Sequence, residues 1–303
     1  MSGSGHNHSH GGGKTLLIAL VFTTGFAAVE VFGGLIANSL ALLSDAGHML
    51  TDSLSLGVGA FAAWLVKKPA SRQHSFGLKR AEVLGALFNV LFMFGVIIFI
   101  AYEAIRRMAD TPAVAGSTVL VIGGLGLLVN IVVAWVLMRG EQTINVRGAL
   151  LHVMGDLLGS VAALVAGAII YFGGPFIADP ILSLFVSLLI LVSAIRLLRE
   201  VTHVLMEGVP KGIDSHEVGC ALVQVDGVCA VHDLHIWSIS SNSRALAAHV
   251  DVESIGRWEE LLPQLQTILR EHFNINHSTL QPENSVIRRT CDAGTDCGAR
   301  NLG

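Results

Sequence analysis

The chain has 303 residues, of which 52% are hydrophobic and only 14% charged, with a mean hydropathy of +0.64. A soluble domain carries about 25% charged residues, so this composition excludes an ordinary soluble protein and indicates a membrane protein. The net charge of −4 and pI near 6.3 leave no basic excess, and no nucleic-acid-binding motif is present, which excludes nucleic acid as a partner.

Residues 1–14 form a cytoplasmic tail rich in Gly, Ser and His, with His6, His8 and His10 in a short tract of the kind that binds metal loosely. The apolar run behind it continues to spanning length instead of stopping at a short core and a small-residue cleavage site, so we read no cleaved signal. A spanning helix needs roughly 20 mostly apolar residues. Six stretches meet that requirement, over 16–37, 40–66, 83–108, 117–138, 146–172 and 180–205, and together they predict a six-helix transmembrane domain over 15–205.

Positive charges predict the orientation. Lys67, Lys68, Arg72, Lys79 and Arg80 lie between the second and third stretches, Arg139 and Arg147 between the fourth and fifth, and Arg196, Arg199 and Lys211 end or follow the sixth. The opposite side holds only Arg106 and Arg107. The excess of Lys and Arg on cytoplasmic loops then places both termini in the cytoplasm of a multi-pass protein of the inner (plasma) membrane.

From residue 206 the composition turns soluble. The pattern predicts a helix over 214–225, strands over 228–240 and 244–252 joined by a turn at 241–243, an amphipathic helix over 257–273 and a strand over 278–281. That αββαβ order is a small cytoplasmic α+β domain over 206–283. Residues 284–303 lack periodicity and are expected to be disordered. Cys220, Cys229, Cys291 and Cys297 show no spacing that suggests paired disulfides, and a reducing cytoplasmic face suits them.

The chemistry is concentrated in two copies of one motif, His48-Met-Leu-Thr-Asp52 and His152-Val-Met-Gly-Asp156, in the second and fifth stretches. Residues four apart share a helix face, so each copy offers an imidazole and a carboxylate one turn apart. A lone histidine in an apolar helix is more often a packed residue. Repetition with a carboxylate each time argues otherwise, because ionisable groups in lipid are costly. Two such faces together supply four nitrogen and oxygen donors, the set that tetrahedral Zn²⁺ prefers. Asp45 lies near the same face and reads either as a group supporting the ligands or carrying protons, or as a residue near the membrane surface. Glu30, Asn89 and Asn130 read either as pathway lining or as interhelical hydrogen-bond contacts.

The run from Ser39 to Asp52, the His152–Asp156 pair, the His74-Ser-Phe-Gly77 loop followed by Glu82, and the His232-Asp-Leu-His-Ile-Trp237 strand together resemble the cation diffusion facilitators, most closely their bacterial zinc-exporting branch. The resemblance runs from the first helix to Glu283. It implies a homodimeric six-helix antiporter that carries Zn²⁺ out of the cytoplasm in exchange for protons, with a metallochaperone-like cytoplasmic domain. It assigns the transport site to His48, Asp52, His152 and Asp156, and regulatory Zn²⁺ ligands to His232, His249 and Glu283. Antiparallel pairing of the strands that carry these last three would cluster them. The period of two sets His235 on the other face from His232. In the loop after the second helix the sequence departs from the richer family pattern: Leu78 stands where some members have a second histidine, and His74 reads as loop capping or packing.

A metal-binding imidazole has an ordinary pKa of about 6.5, so metal binding and proton release compete directly. A cage that faces neutral cytoplasm in one state and a more acidic exterior in the other would therefore export metal at the expense of a proton gradient. The same cage suits Cd²⁺, Co²⁺, Ni²⁺, Mn²⁺ or Fe²⁺ as alternatives to Zn²⁺. A metal-sensing membrane receptor is the remaining rival. No enzyme is expected, since an intramembrane zinc protease needs a His-Glu-x-x-His helix and the sequence has none.

Overall fold

In the computed structural model, residues 10–66, 68–139, 144–240, 243–284 and 295–297 are described. The apolar stretches form six helices: α1 (His10–Ala37), α2 (Leu40–Val66), α3 (Ala81–Ala109), α4 (Gly116–Arg139), α5 (Ile144–Tyr171) and α6 (Ala178–Leu205). The shortest has 24 residues, about 36 Å at 1.5 Å per residue, which exceeds a hydrocarbon core of about 30 Å. α2 has the bounds that its apolar pattern predicts. α1 begins six residues earlier than expected, at His10, because helical backbone continues past the apolar run. His6 and His8 lie outside the described residues.

Two compact units make up the chain, residues 1–60 with 86–197 and residues 61–85 with 198–303. In the first, the usual distribution of polarity is reversed. Phe22, Phe32, Phe88, Phe99, Tyr102 and Ile105 are exposed, whereas Glu30, Asp45, Asn89, Asn130 and Asp156 are buried. Lipid contact accounts for the apolar exterior, and the buried polar set marks the functional interior. Small residues allow close approach: Ala37, Ala41, Val119, Ala163 and Ala166 pack α1, α2, α4 and α5 together. Leu40 on α2 packs with Ile100 and Ala104 on α3 and with Leu184 on α6.

The turn between α1 and α2 is tied down by Asp179, at the start of α6. Asn38 adopts a left-handed φ of 52° to end α1, and Ser39 Oγ then accepts from Leu42 N as an N-cap. The Asp179 carboxylate accepts from Ser39 Oγ at 2.5 Å, Leu40 N at 2.6 Å and Ala41 N at 3.3 Å. A carboxylate at a helix N-terminus satisfies otherwise unpaired amides and complements the dipole.

The second unit holds α7 (Ser215–Val223), β1 (Val228–Ser240), β2 (Ser243–Val252), a 3-10 turn over Ile255–Arg257, α8 (Trp258–Phe273), β3 (His277–Glu283) and the short β4 (Thr295–Cys297). Asp214 caps α7 by accepting from His216 N, and left-handed Asn274 ends α8. The sheet order is β3-β2-β1-β4. Leu222, Val231, Leu246, Val250, Leu261, Leu265 and Leu269 form its core. β1 and β2 pair antiparallel, as the tight turn between them predicts, but β3 runs parallel to β2. The expected all-antiparallel arrangement is thus corrected: α8 is a crossover helix, and a crossover returns the chain in the same direction.

Two further differences appear in this unit. Three residues of the 284–303 segment form a strand, Thr295–Cys297, paired with β1; most of the rest lies outside the described residues, Cys291 included. Cys220 is disulfide-bonded, against the expectation of unpaired thiols, while Cys229 is free. Linear spacing carries no record of which side chains tertiary folding brings together.

The loop between α2 and α3 belongs to the same unit. Arg80 Nη2 donates to Glu207 Oε1 at 2.7 Å, Lys79 Nζ to Ser243 Oγ at 3.3 Å, and Phe76 meets the His277 ring edge-on at 5.4 Å. His74 is exposed, and its backbone shapes the loop by donating to Ser71 Oγ and accepting from Ser71 N and Gly77 N.

Candidate metal centres

The membrane site starts from one turn of α2. His48 and Asp52 project from the same face, with His48 Nδ1 3.4 Å from Asp52 Oδ2. On the other side of the ring, His48 Nε2 lies 3.5 Å from Asp156 Oδ1 on α5. An ion held tetrahedrally at about 2.0–2.2 Å sets neighbouring donors about 3.3–3.6 Å apart; with one donor atom taken from each residue, the three lie within 4.8 Å of one another, a group that can close around an ion. Ligation uses one imidazole nitrogen and leaves the other to a carboxylate that orients the ring. His152 sits on α5 one turn before Asp156; its side chain lies outside the described residues.

Asp45 is fully buried. Its Oδ2 accepts from Ser160 Oγ at 2.9 Å, and Asn130 Nδ2 donates to the same hydroxyl at 3.1 Å. Ser160 escaped the sequence reading. Its position four residues after Asp156 was the available signal, since that spacing puts it on the ligand face of α5.

The second centre lies in the sheet. His232 on β1 and His249 on β2 are register partners, and their rings stand 5.3 Å apart. Glu283, at the end of β3, bridges them: Oε1 is 2.8 Å from His249 Nδ1 and Oε2 is 3.5 Å from His232 Nε2. Donor atoms of these three also fall within 4.8 Å. Because β3 is parallel to β2, Glu283 stands opposite Asp251 in register, and its side chain reaches back to the histidines.

Two carboxylates near this centre were not among the expected residues. Asp251 Oδ1 is 3.8 Å from His232 Nε2, and Asp233 Oδ2 is 3.8 Å from His249 Nε2. Asp251 was discoverable, because it follows His249 by two and therefore shares its strand face. Asp233 was not. It reaches the site through a bulge between His232 and His235, where it takes a φ of 50°. The same bulge leaves His235 exposed, 3.0 Å from Asp233 Oδ1 and outside the three-residue group.

Comparison with known proteins bears on the whole chain. Residues 16–206 match the cation efflux transmembrane domain, and residues 210–285 match the cytoplasmic domain of cation efflux proteins. The chain belongs to the cation efflux family. This confirms the resemblance to the cation diffusion facilitators, and a transporter family agrees with helices that enclose polar groups. One cation efflux relative, the cadmium, cobalt and zinc/H(+)-K(+) antiporter of Bacillus velezensis, is 43% identical over 291 residues, covering 93% of each chain. The metal cation efflux system protein CzcD of Cupriavidus metallidurans is 40% identical, covering 93% of this chain and 90% of its own. The zinc transporter ZitB of Escherichia coli is also 40% identical, covering 92% of each.

Proposed function

We propose that this chain is a proton-coupled antiporter that exports Zn²⁺ from the cytoplasm through His48, Asp52, His152 and Asp156. The observation that carries the reading is the convergence of an imidazole and two carboxylates from α2 and α5 inside a helix bundle whose exterior is apolar. Such a group is expensive to bury and is balanced by a divalent cation. The metals and exchange named for the relatives support it. The Bacillus relative's name also includes cadmium and cobalt, so those ions are the second reading of the cargo, and they suit the same donors.

The protein works as a homodimer in the inner membrane with both termini cytoplasmic, and it carries ions without performing an enzymatic reaction. Trp64 under Lys68 near the end of α2, and Trp135 under Arg139 at the end of α4, support this orientation. Aromatic rings and cations gather at the interface, and cations favour its cytoplasmic side. His232, His249 and Glu283 bind regulatory Zn²⁺, which shifts a conformational equilibrium by binding one state more tightly than the other.

The test is metal uptake into inverted proteoliposomes with an imposed pH gradient, run with Zn²⁺, Cd²⁺, Co²⁺ and Mn²⁺. Zinc uptake that accelerates with the gradient and releases protons is expected. Zinc binding without flux would instead identify a receptor and sink the transport reading.

A further inference from the structure

The second unit carries sulfur chemistry that neither metal centre uses. On α7, His216 and Cys220 lie four residues apart and share a helix face, with His216 Nε2 3.6 Å from Cys220 Sγ. His216 is exposed and Cys220 half-buried, so the pair is open to solution. Cys220 is also disulfide-bonded.

Strand register points to its partner. Cys229 carries no bridge, which leaves Cys291 and Cys297 of the four cysteines. Cys297 ends β4, and β4 packs against α7. In the antiparallel pairing of β4 with β1, Cys297 stands opposite Val231, and directly opposed residues belong to one face of a sheet. Val231 is buried in the core with Val218 and Leu222 of α7. Cys297 therefore occupies a register position on the face that α7 covers, the face that carries Cys220.

Donor chemistry then decides what the cluster holds. A disulfide has no use for an imidazole beside it. Cysteines facing the cytoplasm are kept reduced, and a reduced pair there is more often metal-binding or catalytic than structural. Two thiolates and one imidazole are a zinc donor set, with water in the fourth position. The geometry agrees: zinc held about 2.0–2.1 Å from nitrogen and about 2.3 Å from sulfur sets those two donors about 3.5–3.6 Å apart at a tetrahedral angle, and the observed separation is 3.6 Å. Exposure of His216 suits an ion that exchanges with solution.

We propose that His216, Cys220 and Cys297 bind a thiophilic divalent cation, Zn²⁺ or Cd²⁺, at a third centre separate from the membrane cage and from the His232–His249–Glu283 group. The site belongs to the reduced chain, so it rests on the cytoplasmic placement proposed above. Two equivalents of a cellular thiol reduce the disulfide and leave as a disulfide themselves; the two freed thiols give up their protons as the metal binds. Bound metal holds β4 against β1, where Thr295 is the register partner of His232. The third centre thus orders the strand edge beside the histidine centre.

The test uses the full chain in detergent, reduced with a phosphine, and Co²⁺ as the probe. The cage and the histidine centre offer nitrogen and oxygen alone, so a near-ultraviolet sulfur-to-cobalt charge-transfer band reports thiolate ligation. Wild type and Cys229→Ser are expected to show the band, and added Zn²⁺ or Cd²⁺ to abolish it by displacing cobalt. Cys220→Ser and Cys297→Ser should lose it, and His216→Gln should need at least about 10-fold more Co²⁺ to reach it. A reduced wild type without the band overturns the proposal and leaves the cysteines a redox pair only. So does a band that survives Cys220→Ser, or one that Cys291→Ser abolishes and Cys297→Ser retains. Alkylation of the reduced wild type, read by mass spectrometry, is independent of variant folding: Zn²⁺ should protect Cys220 and Cys297 but not Cys229, and equal labelling with and without Zn²⁺ counts against the site. Labelling of Cys229 from either side of sealed vesicles tests the cytoplasmic placement separately.

Discussion

Asp156 on α5 faces His48 on α2 across 3.5 Å through Oδ1 and Nε2, and one helical turn further along α5 Ser160 holds Asp45. A single stretch of α5 thus serves both the cage and the buried Asp45 of α2.

Removing the Asp156 carboxylate should abolish transport as well as weaken metal binding. Asp156→Ala, like Asp52→Ala, opens the cage and is expected to reduce zinc affinity by about 100-fold or more, the upper end of what loss of a supporting group alone costs. Zinc flux should fall to that of protein-free vesicles. Neither side chain belongs to the apolar packing that holds α1, α2, α4 and α5 together, so membrane insertion and assembly should be unchanged by size-exclusion chromatography in detergent. Wild-type flux in either variant would refute the site.

Selectivity should follow the imidazole. His48→Asp replaces a borderline nitrogen with a hard oxygen beside two existing carboxylates, so the accepted ions should widen toward Mn²⁺ while zinc loses its advantage. Competition uptake with mixed metals measures this directly. An unchanged preference order would show that His48 does not ligate.

Much of this architecture was legible in the chain because hydrophobic periodicity is local. The bounds of α2 and β1 follow from pattern alone, and the two His-x-x-x-Asp faces follow from helical geometry. The parallel placement of β3 was also encoded, since residues 253–276 are too long for a hairpin and contain a helix of crossover length. What stayed hidden depends on contacts distant in sequence. Nothing near Glu30 announces the room that Gly126 leaves for its carboxylate, nor does anything near Asp45 announce Gly159, which does the same. Likewise the bulge that brings Asp233 to His249 is a backbone irregularity without a residue signature. Bridging by Glu283 was implied only by family resemblance, and its reach across the parallel register emerges from the fold.

Asp179 should prove a stability determinant. Its buried carboxylate receives two backbone amides and the Ser39 hydroxyl at the start of α2. Asp179→Ala leaves those donors unpaired at the end of the helix that carries His48 and Asp52. The expected cost is about 2–4 kcal/mol, visible as a lower Tm in detergent. Asp179→Asn retains one acceptor and should fall between the two. A Tm within error of wild type for the alanine variant would show that water replaces the carboxylate there.

The cytoplasmic centre should tune transport without performing it. His232, His249 and Glu283 belong to the second unit and the His48 group to the first, so their loss leaves the membrane ligands in place. Replacing all three with Ala in the full chain should remove the zinc dependence of the transport rate while preserving proton-coupled flux. Calorimetry should show one class of zinc site fewer than in wild type. Asp251→Asn is the finer probe: Asp251 stands 3.8 Å from His232 and opposite Glu283 in register. If it supports the ligands, its substitution should weaken zinc binding at this centre by about 10–100-fold, as losses of hydrogen-bonding partners around a metal do. Binding that stays at wild-type strength in the triple variant would eliminate this centre. Abolished flux at every zinc concentration would instead make it an obligatory part of the transport step.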